Sequence, residues 1–269
     1  MSKNTKDVPA LNVDDTSVAF GDFVALHNAN MVVNVGEMVA LIGASGSGKS
    51  TLLRTIDGLQ LAAPGSGRIE VFGRKVQRNG VFAKGLHYRR RDMGMIFQSF
   101  NLVGRLSLFA NVMIGALGRI PVWRGALGLY PAADRVLAMQ ALERVGVAEF
   151  AGRRASKLSG GQKQRGAIAR ALVQGAQMIL ADEPIASLDP VSARKVMEQL
   201  QELNERDGIT ILVSLHQVDF AIRYCKRVVA LKEGRIIYDG LAKDMTKEDM
   251  ITIYGSEYED AFWSTEAIQ

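Results

Sequence analysis

What the 269-residue chain lacks narrows it first. It has one cysteine, Cys225, so no internal disulfide can form, in keeping with a reducing compartment. It has no long apolar run: stretches such as Met38–Ile42 fall far short of the ~20 residues needed to cross a bilayer. The opening MSKNTKDVPALNVDD carries no apolar h-region, which predicts no signal peptide and a cytosolic address. No internal repeat and no low-complexity linker interrupts it. Composition argues against disorder, because 48% hydrophobic and 23% charged residues is ordinary globular usage. The length suffices to bury a real core. A formal net charge of +5 is a mild bias. It fits simple solubility, or contact with nucleotide phosphates or an anionic membrane surface.

The pattern along the chain is α/β. The first 10 residues are polar and expected to be loose. From Leu11 to Val33, short β-like runs punctuated by Gly21 predict antiparallel strands. Met38–Ile42 is a continuous apolar run, the mark of a buried strand, and Lys49 to Leu59 reads as a helix. A β-like piece at Gly67–Phe72 precedes a basic, weakly patterned stretch from Arg74 to Arg91, and Met93–Phe97 is a short strand. Residues 99–160 change texture, with Leu, Ala and Arg at helical spacing in Pro131–Val145, which predicts an inserted helical subdomain. Strands return at Met178–Ala181 and Thr210–Ser214, each after a helix (Gln162–Val173 and Val191–Asp207). A β-rich piece, Val228–Tyr238, turns at Gly234. Alternating strands and helices imply a mostly parallel sheet.

Two stretches carry chemistry. Gly43-Ala44-Ser45-Gly46-Ser47-Gly48-Lys49-Ser50, with Thr51 directly after it, fits the phosphate-loop pattern between a strand and a helix. Its glycines let backbone N–H groups close around phosphate oxygens, and the helix N-terminus adds its dipole. Lys49 would reach the β- and γ-phosphates, and the Ser50 hydroxyl would ligate Mg²⁺. Met178–Ala181 then runs into Asp182 and Glu183. At the carboxyl end of a parallel strand, Asp182 would hold Mg²⁺ through water and Glu183 would polarise the attacking water.

Between them, Leu158-Ser159-Gly160-Gly161-Gln162 opens a helix and resembles the LSGGQ signature of ABC ATPases. Ser159 and the Gly160–Gly161 amides at a helix N-terminus make a second anion site; an ordinary N-cap at Ser159 is the plainer reading. The other motifs of that family occur in order. Gln98 resembles the Q-loop glutamine that contacts Mg²⁺ and water and senses the permease. Ser187-Leu188-Asp189 resembles the D-loop at the dimer interface. His216 resembles the switch histidine on the γ-phosphate, and Phe20 the aromatic residue that stacks on adenine. The resemblance covers about residues 11–240. It implies an α/β P-loop, RecA-like parallel sheet with an antiparallel β-subdomain and an inserted helical subdomain. It divides a single ABC domain into a nucleotide-binding core (11–98 and 162–240), a helical part with the signature (99–161) and a tail (241–269). It implies ATP and Mg²⁺ as ligands and a head-to-tail homodimer with ATP at the interface. A peripheral address on the cytoplasmic face of the inner membrane follows, beside integral permease subunits and, indirectly, a periplasmic binding protein.

One phosphate loop and one signature make this half a motor. Without long arms, a second cassette or a transmembrane part, DNA-repair, translation-factor and exporter roles fall away, and no nucleic-acid partner is expected. The finer resemblance is to ATPase subunits of bacterial phosphonate importers. Four stretches carry it: Phe100–Val103 with Arg105–Ser107, Asn111–Gly118, Ala181–Pro190, and Leu215–Asp219 with Tyr224-Cys225. Ile185-Ala186-Ser187 and Leu215-His216-Gln217 are its unusual elements. Lys163 and Gly166 depart from the family pattern, and Gly166 should cost up to ~1 kcal/mol of helix stability. An importer of another small anion and a permease-free ABC regulator are the competing readings. His27 and His87 match no motif. Cys225 is expected in the core of an apolar helix, and Arg89-Arg90-Arg91 on a solvated face. The tail from Met245, with Asp249, Tyr254, Tyr258 and Trp263, either packs on the core or is solvated.

Overall fold

The computed structural model describes residues 8–255. The chain opens with a hairpin, β1 (Leu11–Phe20) and β2 (Phe23–Val33), joined by a two-residue turn at Gly21. The buried strand β3 (Met38–Ile42) leads through the phosphate loop into α1 (Lys49–Ile56). That helix stops short of Leu59 because Gly58 takes a left-handed backbone, φ +73°. β4 (Arg68–Val71), β5 (Arg74–Arg78) and β6 (Val81–Phe82) extend the hairpin into an antiparallel sheet, in the order β2-β1-β4-β5-β6. After α2 (Leu86–Arg89) comes β7 (Met93–Ile96).

The next segment is helical: α3 (Leu108–Met113), α4 (Val122–Ala126), α5 (Ala132–Arg144) and the start of α6 (Gly160–Gln174). Then β8 (Met178–Asp182), α7 (Pro190–Asp207), β9 (Thr210–Ser214), α8 (Val218–Tyr224), β10 (Arg227–Lys232), β11 (Arg235–Leu241) and α9 (Lys247–Tyr254) complete the fold. The second sheet runs β11-β10-β3-β9-β8-β7 and is parallel except for β11.

The apolar strands of this sheet do not alternate with polar residues because both of their faces are covered. Val39, Leu41, Leu180, Leu212 and Val229 point towards α1 and the antiparallel sheet. Ala40, Ile42, Ile179, Val213 and Ala230 point towards α3 and α5–α8. The polar connections and acids therefore collect at the strands' carboxyl ends, where open α/β sheets bind ligands.

Three expectations need correction. Residues 74–91, only weakly patterned in the sequence, form two strands and a short helix. Their key residue is polar: Gln77, 1% exposed, accepts from Ala62 N–H (2.8 Å) and donates to the carbonyls of Thr55 (2.7 Å) and Gln60 (3.1 Å). A hydrophobic period cannot reveal such a strand. Cys225 is buried as expected but lies just past α8, in extended backbone, because the apolar run around it is a helix followed by β10. Arg90 is not simply solvated, since its guanidinium donates to the Asp57 (3.0 Å) and Gly58 carbonyls. Tyr258 and Trp263 lie outside the described residues.

Gly166 also has a packing reason. A Cβ there would stand 2.4 Å from Leu108 Cδ1, where α3 presses on α6, and Leu108 is fully buried. Gly166→Ala should therefore lower stability by roughly 1–2 kcal/mol net, because overpacking outweighs the gain in helix propensity. Urea denaturation checks this; a raised midpoint would show that Leu108 yields freely.

Candidate functional site

The phosphate loop leaves β3 between the ends of β10 and β9. Ala44, Ser45 and Gly46 are exposed, while Lys49 is only 4% exposed. Its ammonium donates to the carbonyls of Gly43 (2.7 Å) and Ala44 (3.0 Å). Burial pushes its pKa down, and the nearby carboxylates Glu183 and Asp182 oppose that shift. Ser50 and Thr51 follow in the first turn of α1, whose free N–H groups and dipole favour an anion.

Opposite the loop, Asp182 ends β8 and is 3% exposed. The Ser50 hydroxyl donates to it at 2.7 Å and the Ser214 hydroxyl at 3.1 Å, with Arg54 3.9 Å away. Glu183 follows with a left-handed backbone, φ +49°, unusual for a residue with a side chain. Its N–H donates to Ser214 Oγ at 2.9 Å, and its carboxylate is hydrogen-bonded to His216 Nε2. Strain of this kind persists where surrounding contacts over-determine it, as at active sites. Ser214 was not singled out in the sequence. It pairs with Asp182 across β8 and β9 and orients both acids. The one available signal is a polar residue closing the apolar strand Thr210–Ser214, two positions before His216.

Gln98 lies two residues beyond β7, which neighbours β8, so it shares the carboxyl edge with the acids; its side chain is exposed. Phe20 closes β1, half-exposed, opposite Phe23. The hairpin reaches the loop through a relay in which His27 N–H donates to Gly234 C=O (2.8 Å) and Gly234 N–H to Ser47 C=O (3.0 Å).

The signature forms a second group. Ser159 caps α6, and a capping box joins its hydroxyl to Gln162 N–H (3.3 Å) and the Gln162 side chain to Ser159 N–H (2.9 Å). The plain N-cap reading and the anion-site reading thus describe the same atoms. Gly160 and Gly161 press on Leu188 and Ser192: an added Cβ would stand 2.9 Å from Leu188 Cδ2 and 2.8 Å from Ser192 Oγ. Asp189 caps α7 through Val191 N–H (3.1 Å) and Ser192 N–H (2.9 Å), and hydrogen bonds from the Ser192 side chain first, then from these backbone groups, hold its carboxyl below the usual range. The amino ends of α6 and α7 therefore lie side by side. Among the described residues, no hydrogen bond or ion pair joins Ser159–Gln162 to the phosphate loop.

Among the described residues, no group of three or more His, Cys, Asp or Glu side chains gathers as a metal site. Ser50 and Asp182 are hard oxygen donors in contact at the loop. That suits Mg²⁺, which takes one or two protein oxygens together with substrate phosphates. Among the described residues, no helix is long and apolar enough to cross a membrane.

Comparison with known proteins agrees with this arrangement. The ABC transporter family model matches residues 26–186. The phosphonates import ATP-binding protein PhnC of Maricaulis maris is 58% identical over 94% of this chain and 96% of its own. The protein of the same name from Caulobacter vibrioides is 59% identical over 95% and 97%. Among solved structures, the dimeric post-hydrolysis state of the ATP-binding cassette MJ0796, bound to ADP and Pi, is 32% identical. It superposes with a TM-score of 0.75, covering 87% of this chain and all of the other. The likeness to these proteins extends along nearly the whole length, and the chain belongs to the ABC transporter family as an ATP-binding, ATP-hydrolysing subunit.

Proposed function

We propose that this chain drives import of phosphonates or related phosphorus oxyanions, working as a homodimer on a membrane permease. The observation that carries the hydrolytic part of the reading is Glu183, whose backbone N–H meets the Ser214 hydroxyl and whose carboxylate meets the His216 imidazole. In the reaction, Lys49 holds the β- and γ-phosphates, and Glu183 orients a water and takes its proton. His216 positions that carboxylate and reaches the γ-phosphate, and Phe20 offers its ring to adenine. Bound Mg²⁺, held by Ser50, by Asp182 through water and by Gln98, would neutralise charge on the phosphate oxygens. The signature, with Ser159 exposed and Asp189 beside it, closes over ATP on a second copy of the chain, and the dimeric relative supports this arrangement. Catalysis is mainly positioning and charge stabilisation.

The permease would dock in the groove of about 390 Å³ between the sheet and the helical part, lined by Arg90, Arg91, Phe97, Ile114 and Arg170. It adjoins Gln98, so closure at the nucleotide and movement of the permease share a boundary. The phosphonate assignment rests on the relatives above 50% identity and on the Ile185–Ser187 and Leu215–Gln217 stretches.

ATPase activity of the complex reconstituted with its permease tests the proposal. Binding protein loaded with an alkylphosphonate should stimulate hydrolysis several-fold over unloaded binding protein. Stimulation by another oxyanion alone would overturn the substrate. No stimulation by any loaded binding protein would overturn the importer.

A further inference from the structure

The last described helix is not an appendage. α9 begins with a capping box, in which Thr246 and Asp249 satisfy each other's backbone N–H groups, and so has a defined start. It packs on β10, where the Lys232 ammonium donates to the Thr252 carbonyl at 2.7 Å. Its final residue, Tyr254, reaches past β10 to the phosphate loop. The Tyr254 hydroxyl oxygen accepts the N–H of Gly43 at 3.2 Å.

Gly43 is the residue at which β3 becomes the loop. Its backbone, at φ +143°, passes so close to β10 that a Cβ would stand 2.2 Å from the Leu231 carbonyl oxygen. The peptide on one side of its Cα is held by Tyr254. The carbonyl on the other side accepts from Lys49, the residue that meets the phosphates. One glycine thus links the C-terminal helix to the phosphate-binding ammonium through two hydrogen bonds. A phosphate cradle made of backbone N–H groups binds well only when those groups are held in place before the ligand arrives. Burial pushes the Tyr254 phenol up to about 12, so the hydroxyl remains protonated at any pH at which the protein works.

We infer that Tyr254 is a positioning residue for nucleotide binding: its hydroxyl holds Gly43, and through it the phosphate loop and Lys49, in the conformation that accepts the phosphates. It touches no reacting atom, so its contribution falls on affinity and not on the hydrolytic step. The inference rests on the reading that this loop binds ATP, and the test separates the two.

The full-length chain is titrated with MgADP, and the ATPase parameters of its transporter complex are measured, for wild type, Tyr254→Phe and Lys232→Met. MgADP binding by the wild type tests the loop; the variants test the brace. Tyr254→Phe keeps the ring and its packing and removes the hydroxyl that accepts from Gly43. It should weaken MgADP binding and raise KM for ATP about three- to tenfold, the size of one neutral hydrogen bond. kcat should stay within twofold and the thermal midpoint should fall by no more than about 4 °C. Lys232→Met, which removes the Thr252 bond between β10 and α9 without touching Tyr254, should move affinity in the same direction by less. Wild-type affinity in Tyr254→Phe would overturn the inference. So would a larger fall in kcat and thermal midpoint together, which would make Tyr254 a packing residue only.

Discussion

Glu183→Gln is expected to cut ATP hydrolysis by roughly 100- to 10,000-fold, the range set by losing a positioned proton acceptor, while MgATP still binds. Glutamine is nearly isosteric and can keep both local contacts, its backbone N–H to Ser214 Oγ and a side-chain oxygen towards His216. What it cannot do is accept a proton from water. The fold should therefore tolerate the change, and the variant should accumulate as an ATP-bound dimer. Single-turnover hydrolysis and size-exclusion chromatography in MgATP check the two halves separately. Hydrolysis within tenfold of wild type would remove Glu183 from the chemistry. Loss of nucleotide binding along with hydrolysis would mean that the carboxylate holds the loop instead of acting on water.

The second large effect concerns Asp57, the residue closing α1. It is 5% exposed, and its carboxylate lies 4.0 Å from the Arg90 guanidinium. Burial pushes the carboxyl up from 3.8 to about 7, with Arg90 opposing the shift. A raised carboxyl binds its proton more tightly in the folded state than in the unfolded one. The contribution of Asp57 to folding stability therefore falls as pH rises from about 4 to about 7, and levels off above. A shift of this size corresponds to about 4 kcal/mol between the two plateaus. Asp57→Asn, a neutral stand-in for the protonated acid, should flatten that slope. It should make the protein more stable than wild type at pH 8 and leave it close to wild type at pH 4. Urea denaturation at the two pH values reads this directly. An unchanged slope in the variant would show that Arg90 keeps Asp57 charged throughout. Asp57 also lines the groove proposed for the permease, so its proton bears on the coupling surface as well as on stability.

Much of the site was legible because its parts are contiguous. Gly43–Thr51, Leu158–Gln162 and Met178–Glu183 each carry a loop, a cap or an acid pair within a few residues, where local pattern and local chemistry coincide. The apolar runs Met38–Ile42 and Thr210–Ser214 announce buried strands because both faces of the main sheet are covered. The illegible parts depend on register and on packing between distant segments. Ser214 matters only because β8 and β9 pair so that it stands beside Asp182. Gln77 closes the backbone of a turn 15 to 22 residues away, which no period in the sequence reports. Gly166 reads as a helix weakness until Leu108 is seen against it. Tyr254 lies 211 residues from the glycine it meets.

The lone cysteine has a practical consequence. Cys225 is 3% exposed, and burial pushes its thiol up to about 12. Thiol reagents attack the thiolate, so at neutral pH this sulfur is a closed door to maleimides, methanethiosulfonates and disulfide exchange. The native sequence is thus already a silent background for labelling. A cysteine introduced at Ser159 or Asp189 would carry the only reactive thiol among the described residues. Spin-label distances between two copies would then test the proposed closure of each signature over the other copy's nucleotide, without any prior removal of native cysteine.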